Sequence, residues 1–145
     1  MGPTRGLPDL LAEIASQGGY ESGFGPEPVV SLESFFEGND DLGSIGSNLA
    51  DHPGVQQFFT VLRHVRERPE VHDVWVGISE VMGDDEWPFS NHVYVVTSAS
   101  ADELLRWTTA LSPEPEIASG WWNDVPPLKS IPVSAGMRVL TLWWD

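Results

Sequence analysis

The stretch DHPGVQQFFTVLRHVRERPEVHDVWVGISEVM, residues 51–82, holds a helical pattern followed by a strand pattern, and this pair decides the fold. Because apolar residues recur at helical spacing in its first half, we predict an amphipathic helix with one buried face. Asp51 is predicted to cap this helix, Pro53 suits its first turn, and Pro69 marks its end. The apolar positions are Val55, Phe58, Phe59, Leu62 and Val65.

The second half of the stretch alternates with a period of two. Val74, Val76 and Ile78 alternate with Trp75, Gly77 and Ser79, which is typical of a strand with two unlike faces. A second strand is predicted in NHVYVVTS, residues 91–98, and the short loop between the strands makes them an antiparallel hairpin. We expect the apolar face of the helix to pack on Val74, Val76, Val93 and Val95, because each apolar face needs a partner.

Shorter elements flank this central unit. Residues 8–17 and 32–37 are predicted to be helical, the latter with Ser31 as N-cap and Gly38 at its end. Residues 100–111 form a helix that begins with a capping box between Ser100 and Glu103. The closing segment MRVLTLWWD, residues 137–145, is predicted as a strand, and Val29–Val30 adds an edge strand.

Together these elements predict a single α+β domain over residues 1–145, with a three- or four-stranded, mostly antiparallel sheet and helices on one face. With Val29–Val30 included, the element order is β-α-β-β-α-β, as in ferredoxin-like folds. The helix at 100–111 is expected to act as a crossover that places the last strand parallel to the second strand. Residues 1–26 are predicted to form a loosely attached N-terminal helix and loop, and 112–136 an irregular excursion.

Charge and composition exclude several classes of function. The chain of 145 residues has 22 acidic and 7 basic residues, a net charge of −15, so binding to nucleic acid or to an anionic membrane surface is disfavoured. The chain has no cysteine, which excludes disulfides, thiolate metal sites and cysteine nucleophiles. No apolar run approaches the roughly 20 residues that cross a bilayer, and we expect a soluble, cytoplasmic protein.

The segment SLESFFEGNDDLGSIGSN, residues 31–48, invites a test for a metal or phosphate loop. A calcium loop fails because apolar residues or glycines fall at ligand positions, and a phosphate loop fails because the lysine is missing. We predict instead a helix end at Gly38 and an Asx turn from Asn39 to Asp41, with loose cation binding by Asp40 and Asp41 as the alternative.

The histidines lack metal-ligand spacing, and serine hydrolase motifs are missing. We predict that the histidines are capping or boundary residues, and we predict no catalytic, cofactor-binding or metal-binding residue. The four histidines are His52, His64, His72 and His92.

Aromatic residues beside acidic ones give the best candidates for a contact surface. The hairpin loop places three acids next to a tryptophan, and the excursion contains two adjacent tryptophans. Aromatic anchors and acidic steering groups suit a basic partner. The alternative is that both loops fold back and bury these rings. The predicted partner-binding residues are Asp84, Asp85, Glu86, Trp87, Phe89, Trp121 and Trp122.

We therefore predict a non-catalytic interaction or inhibitor module for a basic protein, of the size and charge of immunity proteins that neutralise nuclease toxins. A homo-oligomer also stays open. Two other functions are alternatives: a small-molecule-binding domain that uses the open sheet face and the tryptophan-rich segments, and an enzyme with dispersed carboxylate or histidine residues. No cofactor is predicted.

Overall fold

The computed structural model describes residues 6–18, 26–83 and 85–144. In this part of the chain the α-helices are Leu7–Ser16 (α1), Leu32–Phe36 (α2), Val55–Arg66 (α3) and Ala101–Trp107 (α4), with 3₁₀ turns at Thr109–Leu111 and Trp122–Asp124. The strands are Val29–Val30 (β1), Val71–Gly77 (β2), His92–Thr97 (β3), Ala118–Ser119 (β4) and Arg138–Trp143 (β5).

The strands form one sheet in the order β1-β2-β3-β5-β4, and all of its pairs are antiparallel. The predicted single α+β domain is confirmed, and so are the edge strand at Val29–Val30 and the β2–β3 hairpin. The described residues contain five strands rather than three or four, because the excursion contributes the two-residue strand β4. The element order follows the ferredoxin-like one only in part, because two helices lie between β1 and β2 and two strands follow α4, and the parallel pairing of a split β-α-β unit is not formed.

The last strand was predicted to run parallel to the strand at residues 91–98, which is β3, and this prediction was wrong. β5 pairs antiparallel with β3, from His92 opposite Trp143 to Thr97 opposite Arg138. The crossover through α4 leads instead to β4, which runs in the same direction as β3 because both are antiparallel to β5. Residues 120–137 then reverse the chain once more, and β5 enters the sheet between β3 and β4.

The inner face of the sheet carries the main hydrophobic core. As predicted, Val55, Phe58, Phe59, Leu62 and Val65 of α3 are buried with the apolar positions of β2 and β3. Leu10 and Ile14 of α1 and Leu104 of α4 join the same cluster, so the helices pack on one face. The rest of residues 1–26, which we predicted to be loosely attached, lies largely outside the described residues.

The helix ends follow the predicted caps at two of three positions. Ser31 accepts a hydrogen bond from the Ser34 backbone N–H, and Ser100 forms the predicted capping box with Glu103. The predicted cap at Asp51 was wrong: α3 begins at Val55 with Gly54 as its N-cap. His52 fixes this boundary instead, because its Nδ1 accepts from the Gly54 N–H at 2.9 Å.

The outer face of the sheet is covered by the excursion, residues 112–136, rather than by helices. Tyr94 and Val96 point to this face because they alternate with the inward-facing Val93 and Val95. They form a second cluster with Val29 and Val139, and the half-buried hydrophobic side chains that cover it are Trp75, Trp121, Trp122, Ile131 and Met137.

The β1 edge of the sheet is closed by a side chain. Gln17, just after α1, donates from Nε2 to the Val29 carbonyl at 2.8 Å and accepts from the Val29 N–H at 3.1 Å. Its amide thus takes the place of a neighbouring strand and protects an edge that would otherwise pair with other chains. None of the helices in the described part of the chain has the length and apolar character required to cross a membrane.

Candidate functional site

The segment 31–48 folds as the predicted helix end and turn. Gly38 has a positive φ of 77°, and the Asp41 N–H donates to the Asn39 side chain at 2.9 Å, which forms the Asx turn. The Asn39 amide is buried and donates to the Phe35 carbonyl and to Ser44 Oγ. Among the described residues no group of three or more histidine, aspartate or glutamate side chains has a metal-binding arrangement.

The hairpin loop divides into exposed acids and a packed tryptophan. Asp84 lies outside the described residues, whereas Asp85 and Glu86 are exposed. Trp87 is half-buried against the main core, and its indole N–H donates to the Phe35 carbonyl at 3.0 Å. This contact attaches the loop to α2 and leaves part of the Trp87 ring exposed.

Trp121 and Trp122 lie on the outer face, where the fold brings them next to Trp143. The Trp122 and Trp143 ring centroids are 5.8 Å apart and the rings are tilted by 51°. Trp144 points to the opposite face and contacts Phe58, because neighbouring residues of a strand face opposite ways. We call Trp122 and Trp143 the tryptophan pair.

One cleft beside the tryptophan pair is neutral. Its volume is about 270 Å³. Of the described residues that line it, none carries a charge, and the polar ones offer amides and a hydroxyl. This neutral cleft includes Phe89, one of the predicted partner-binding residues, and its lining side chains include Ser47, Asn48, Phe89, Asn91, Trp122 and Trp143.

The other cleft beside the pair is acidic, with a volume of about 370 Å³. Trp121 contributes a third indole to this acidic cleft, and Glu116 and Asp124 contribute carboxylates. Asn123 and Asp124 both have positive φ, 55° and 60°, in the short turn that presents Trp122. Asparagine and aspartate tolerate this left-handed conformation better than most residues, so the turn is compatible with its sequence.

A buried polar cluster of Glu27, His92 and Tyr94 lies beneath the clefts. The Glu27 carboxylate oxygen Oε1 lies 2.5 Å from His92 Nε2 and also accepts a hydrogen bond from the Tyr94 hydroxyl. The His92 side chain is only 1% exposed and that of Glu27 11%. Buried ionic groups seldom add net stability, so this polar cluster needs a reason other than packing.

The environment of Tyr94 keeps its hydroxyl protonated. Burial raises the pKa of this phenol far above its ordinary value, and the negative charge of Glu27 and its hydrogen bond raise the pKa further. Tyr94 therefore acts as a hydrogen-bond donor to Glu27, while its oxygen accepts from the Trp122 backbone N–H at 3.3 Å.

Gly77 makes room for the buried polar cluster. A Cβ at this position would lie 2.2 Å from His92 Nε2 and 2.9 Å from the Glu27 carboxylate. Gly77 pairs with His92 across the hairpin, so the missing side chain opens the space that the histidine ring and the carboxylate occupy.

The buried polar cluster supports the neutral cleft through two contacts. His92 Nδ1 lies 2.7 Å from Asn91 Oδ1, and the His92 ring stacks on Trp122 with centroids 5.0 Å apart and an angle of 8°. Ser79 Oγ also donates to Asn91 Oδ1, at 3.0 Å. Both ring nitrogens of His92 thus face side-chain oxygens, Oε1 of Glu27 and Oδ1 of Asn91.

The sequence analysis missed this cluster. We predicted His92 as a boundary residue, and it is the first residue of β3, but its ring is buried in an ion pair. Two signals were present: a glycine inside a strand, which indicates close approach of other groups, and polar residues at 92 and 94 on one strand face. For His52 the boundary prediction is confirmed, and His64 and His72 are exposed.

Comparisons with known proteins identify relatives without stating an activity. A family model described as "Uncharacterized protein YfbO family" matches residues 6–142. The chain is also 36% identical over 120 residues to the uncharacterized protein YfbO of Escherichia coli strain K12, an alignment that covers 83% of this chain and 84% of that protein. No solved structure matches the chain significantly.

Proposed function

The chain belongs to the uncharacterized protein YfbO family, and we propose that it is a cytoplasmic, non-catalytic binding module whose acidic cleft receives a cationic side chain of a basic partner protein. The observation that carries this proposal is the composition of the cleft: three indoles and two carboxylates line one space of about 370 Å³. A cation over an indole face gains about 0.5–2 kcal/mol, more where water is excluded, and a nearby carboxylate adds charge attraction.

The protein's own cations support this assignment of ligand chemistry. Arg63, Arg68 and Lys129 each lie over an aromatic ring, 4.1 to 4.4 Å from its centroid. No such contact within the described residues involves the indoles of the acidic cleft. The ring surfaces that line the acidic cleft can therefore make with a partner the same contact that other rings make within the chain.

The surface charge supports association with a basic partner. A net charge of −15 steers cations toward the protein, which raises association rates more than it lowers dissociation rates. Asp85 and Glu86 are exposed in the hairpin loop and add to this field, and Phe89 lines the neutral cleft on the other side of Trp122. The proposed contact surface is therefore the acidic cleft with Trp121 and Trp122, and the acids of the hairpin loop contribute through their charge.

The test begins with affinity capture from a lysate of the source organism, identification of the bound proteins, and binding kinetics with each purified candidate. Ala118 and Ser47 offer a matched pair, because each lines only one of the two clefts and Ala118 lies on the outer face, where it pairs with Thr141. Ala118→Phe, which fills the acidic cleft, should weaken partner binding at least about tenfold, whereas Ser47→Phe should change it little.

Charge variants separate steering from anchoring. Glu116→Gln with Asp124→Asn should slow association severalfold and reduce its salt dependence, because the substitutions remove charge and keep shape. Asparagine at 124 also accepts the positive φ. A basic partner that binds Ala118→Phe and the charge variant as tightly as it binds the natural protein would refute the proposal. An acidic partner would also refute the proposal. Sedimentation that shows a second copy of this chain bound to the surface would refute it as well.

A further inference from the structure

We propose that the neutral cleft binds an uncharged saccharide unit, which packs its C–H face on the tryptophan pair and accepts a hydrogen bond from Asn91 Nδ2. This inference concerns a different cleft from the one that the proposed function uses, and neither depends on the other. It rests on the chemistry of the lining, on the fixed orientation of Asn91, and on the buried polar cluster behind both.

The lining matches a ligand with one apolar face and polar edges. Phe89 and the tryptophan pair supply apolar surface, and Ser47, Asn48 and Asn91 supply donors and acceptors without charge. A purely apolar ligand would leave those amides without partners, which costs binding energy. In a protein of net charge −15, an anionic ligand would be repelled, and a cation would favour the acidic cleft.

Asn91 is held in one orientation before any ligand arrives. Its Oδ1 accepts from Ser79 Oγ at 3.0 Å and faces His92 Nδ1 at 2.7 Å, so the amide plane is fixed from behind. Its Nδ2 has no acceptor among the described residues, and Asn91 lines the cleft. A fixed donor binds a ligand oxygen without losing further side-chain entropy, which is the benefit of preorganisation.

The tryptophan pair favours a puckered ring over a flat one. One face of Trp122 is covered by His92, and Trp143 is tilted by 51° to it. A flat heterocycle gains most when it lies between two parallel rings, and this pair does not offer that arrangement. A pyranose carries C–H bonds at several angles and contacts tilted rings with each of them, and its hydroxyls reach the amides.

The volume of the cleft fits one or two sugar rings at most. A space of about 270 Å³ corresponds to roughly nine water molecules at about 30 Å³ each, near the lower end of known ligand pockets. We therefore expect recognition of a terminal monosaccharide or of a disaccharide.

The experiment is a titration of the full ¹⁵N-labelled protein with the neutral methyl glycosides of glucose, galactose, mannose and N-acetylglucosamine. Nuclear magnetic resonance follows the Asn91 side-chain amide and the indole N–H signals of Trp122 and Trp143. At least one glycoside should give saturable shifts at these three groups. Adenosine and arginine amide serve as the flat and the cationic competitor, and both should bind more weakly at this cleft.

The matched variants locate the site. Ser47→Phe should weaken glycoside binding at least about tenfold, and Ala118→Phe should leave it unchanged. Asn48→Phe is a second blocking variant if Ser47→Phe does not fold. The inference is overturned if no glycoside gives saturable shifts, if adenosine binds more tightly than all of them, or if glycoside binding survives in a folded blocking variant.

Discussion

The two faces of the sheet are covered in different ways, although the same strands build both. On the inner face, α3 and the other helices bury an apolar cluster in which Phe58 and Leu62 are fully enclosed. On the outer face, an irregular segment covers a smaller apolar cluster and encloses Glu27, His92 and Tyr94 beside it. The inner face is stabilised by apolar burial. The outer face buries less apolar surface and encloses polar side chains instead.

This difference indicates where function belongs. Apolar packing tolerates exchange among residues of similar volume, but buried charges must be desolvated, and a hydrophobic replacement is often at least as stable. The outer face keeps its charges next to two clefts and uses them to hold Asn91 and Trp122. We therefore assign stability chiefly to the inner face and binding to the outer face.

The largest expected effect tests the inner face. Phe59→Ala should lower the free energy of unfolding by about 3–5 kcal/mol, because the ring is 7% exposed and packs on Phe36. Chemical denaturation measures this loss. Under native conditions the folded variant should bind glycosides as the natural protein does, since Phe59 does not line the neutral cleft. A loss below about 1 kcal/mol would show that α3 is not the main core element.

The second prediction concerns the buried polar cluster. Glu27→Leu alone should cost about 3 kcal/mol, because it leaves the buried His92 without its carboxylate. The triple variant Glu27→Leu, His92→Leu, Tyr94→Phe should regain most of that loss and unfold within about 1 kcal/mol of the natural protein. It should still lose affinity for ligands of the neutral cleft, since Asn91 and Trp122 lose their support.

The triple variant is measured for both stability and glycoside binding, because the two results together test the prediction. If the triple variant is as unstable as Glu27→Leu alone, the buried polar cluster is required for folding, and the division of roles between the faces is wrong. If it is stable and binds glycosides normally, the cluster does not position the cleft.

Sequence patterns predicted the inner face well because that face obeys simple periodicity. Helical spacing in α3 and alternation in β2 and β3 each identify the buried side chains, and the caps at Ser31 and Ser100 are local signals. The path of the chain after α4 was not predictable in this way. Whether the crossover ends in β4 or in β5 depends on how the proline-rich excursion packs, and no periodic pattern encodes that packing.

The candidate site was predicted only in part. Trp121 and Trp122 stood out as aromatic residues in an irregular segment, and they line the acidic cleft. Glu27 and His92 are separated by 65 positions, and they meet only because Glu27, just before β1, reaches His92 across Gly77, the residue of β2 that pairs with both Val29 and His92. A single histidine and a single glutamate carry no spacing signal, so only the three-dimensional structure brings them together.

The third prediction concerns Trp87, for which the sequence left two interpretations: a partner anchor in the hairpin loop, or a ring that is buried when the loop folds back. Trp87→Ala should cost about 2–3 kcal/mol, less than a fully buried tryptophan, because the ring is half-buried and its N–H bonds to Phe35. Trp87→Phe should cost about 1 kcal/mol, mainly from that lost hydrogen bond. Thermal and chemical unfolding measure both. A folded Trp87→Ala protein of natural stability that loses its basic partner would instead make this ring a partner anchor.

The smallest expected effect is a pH dependence on the outer face. Because burial and Glu27 raise the pKa of Tyr94, the folded state keeps the phenol proton at pH values where the unfolded chain releases it. The stabilisation is therefore complete below the unfolded pKa of about 10 and declines as pH rises above it, by at most about 1.4 kcal/mol per pH unit.

Tyr94→Phe should cost about 1–2 kcal/mol at pH 7, since it removes a hydrogen bond to a charged acceptor. Above pH 10 its unfolding free energy should fall less steeply than that of the natural protein. Urea denaturation of both proteins between pH 7 and 11 measures the two slopes, and the other tyrosine, Tyr20, contributes equally to both. Equal slopes would mean that Tyr94 ionises in the folded state as readily as in the unfolded chain, and the outer face would then not enclose a dry polar cluster.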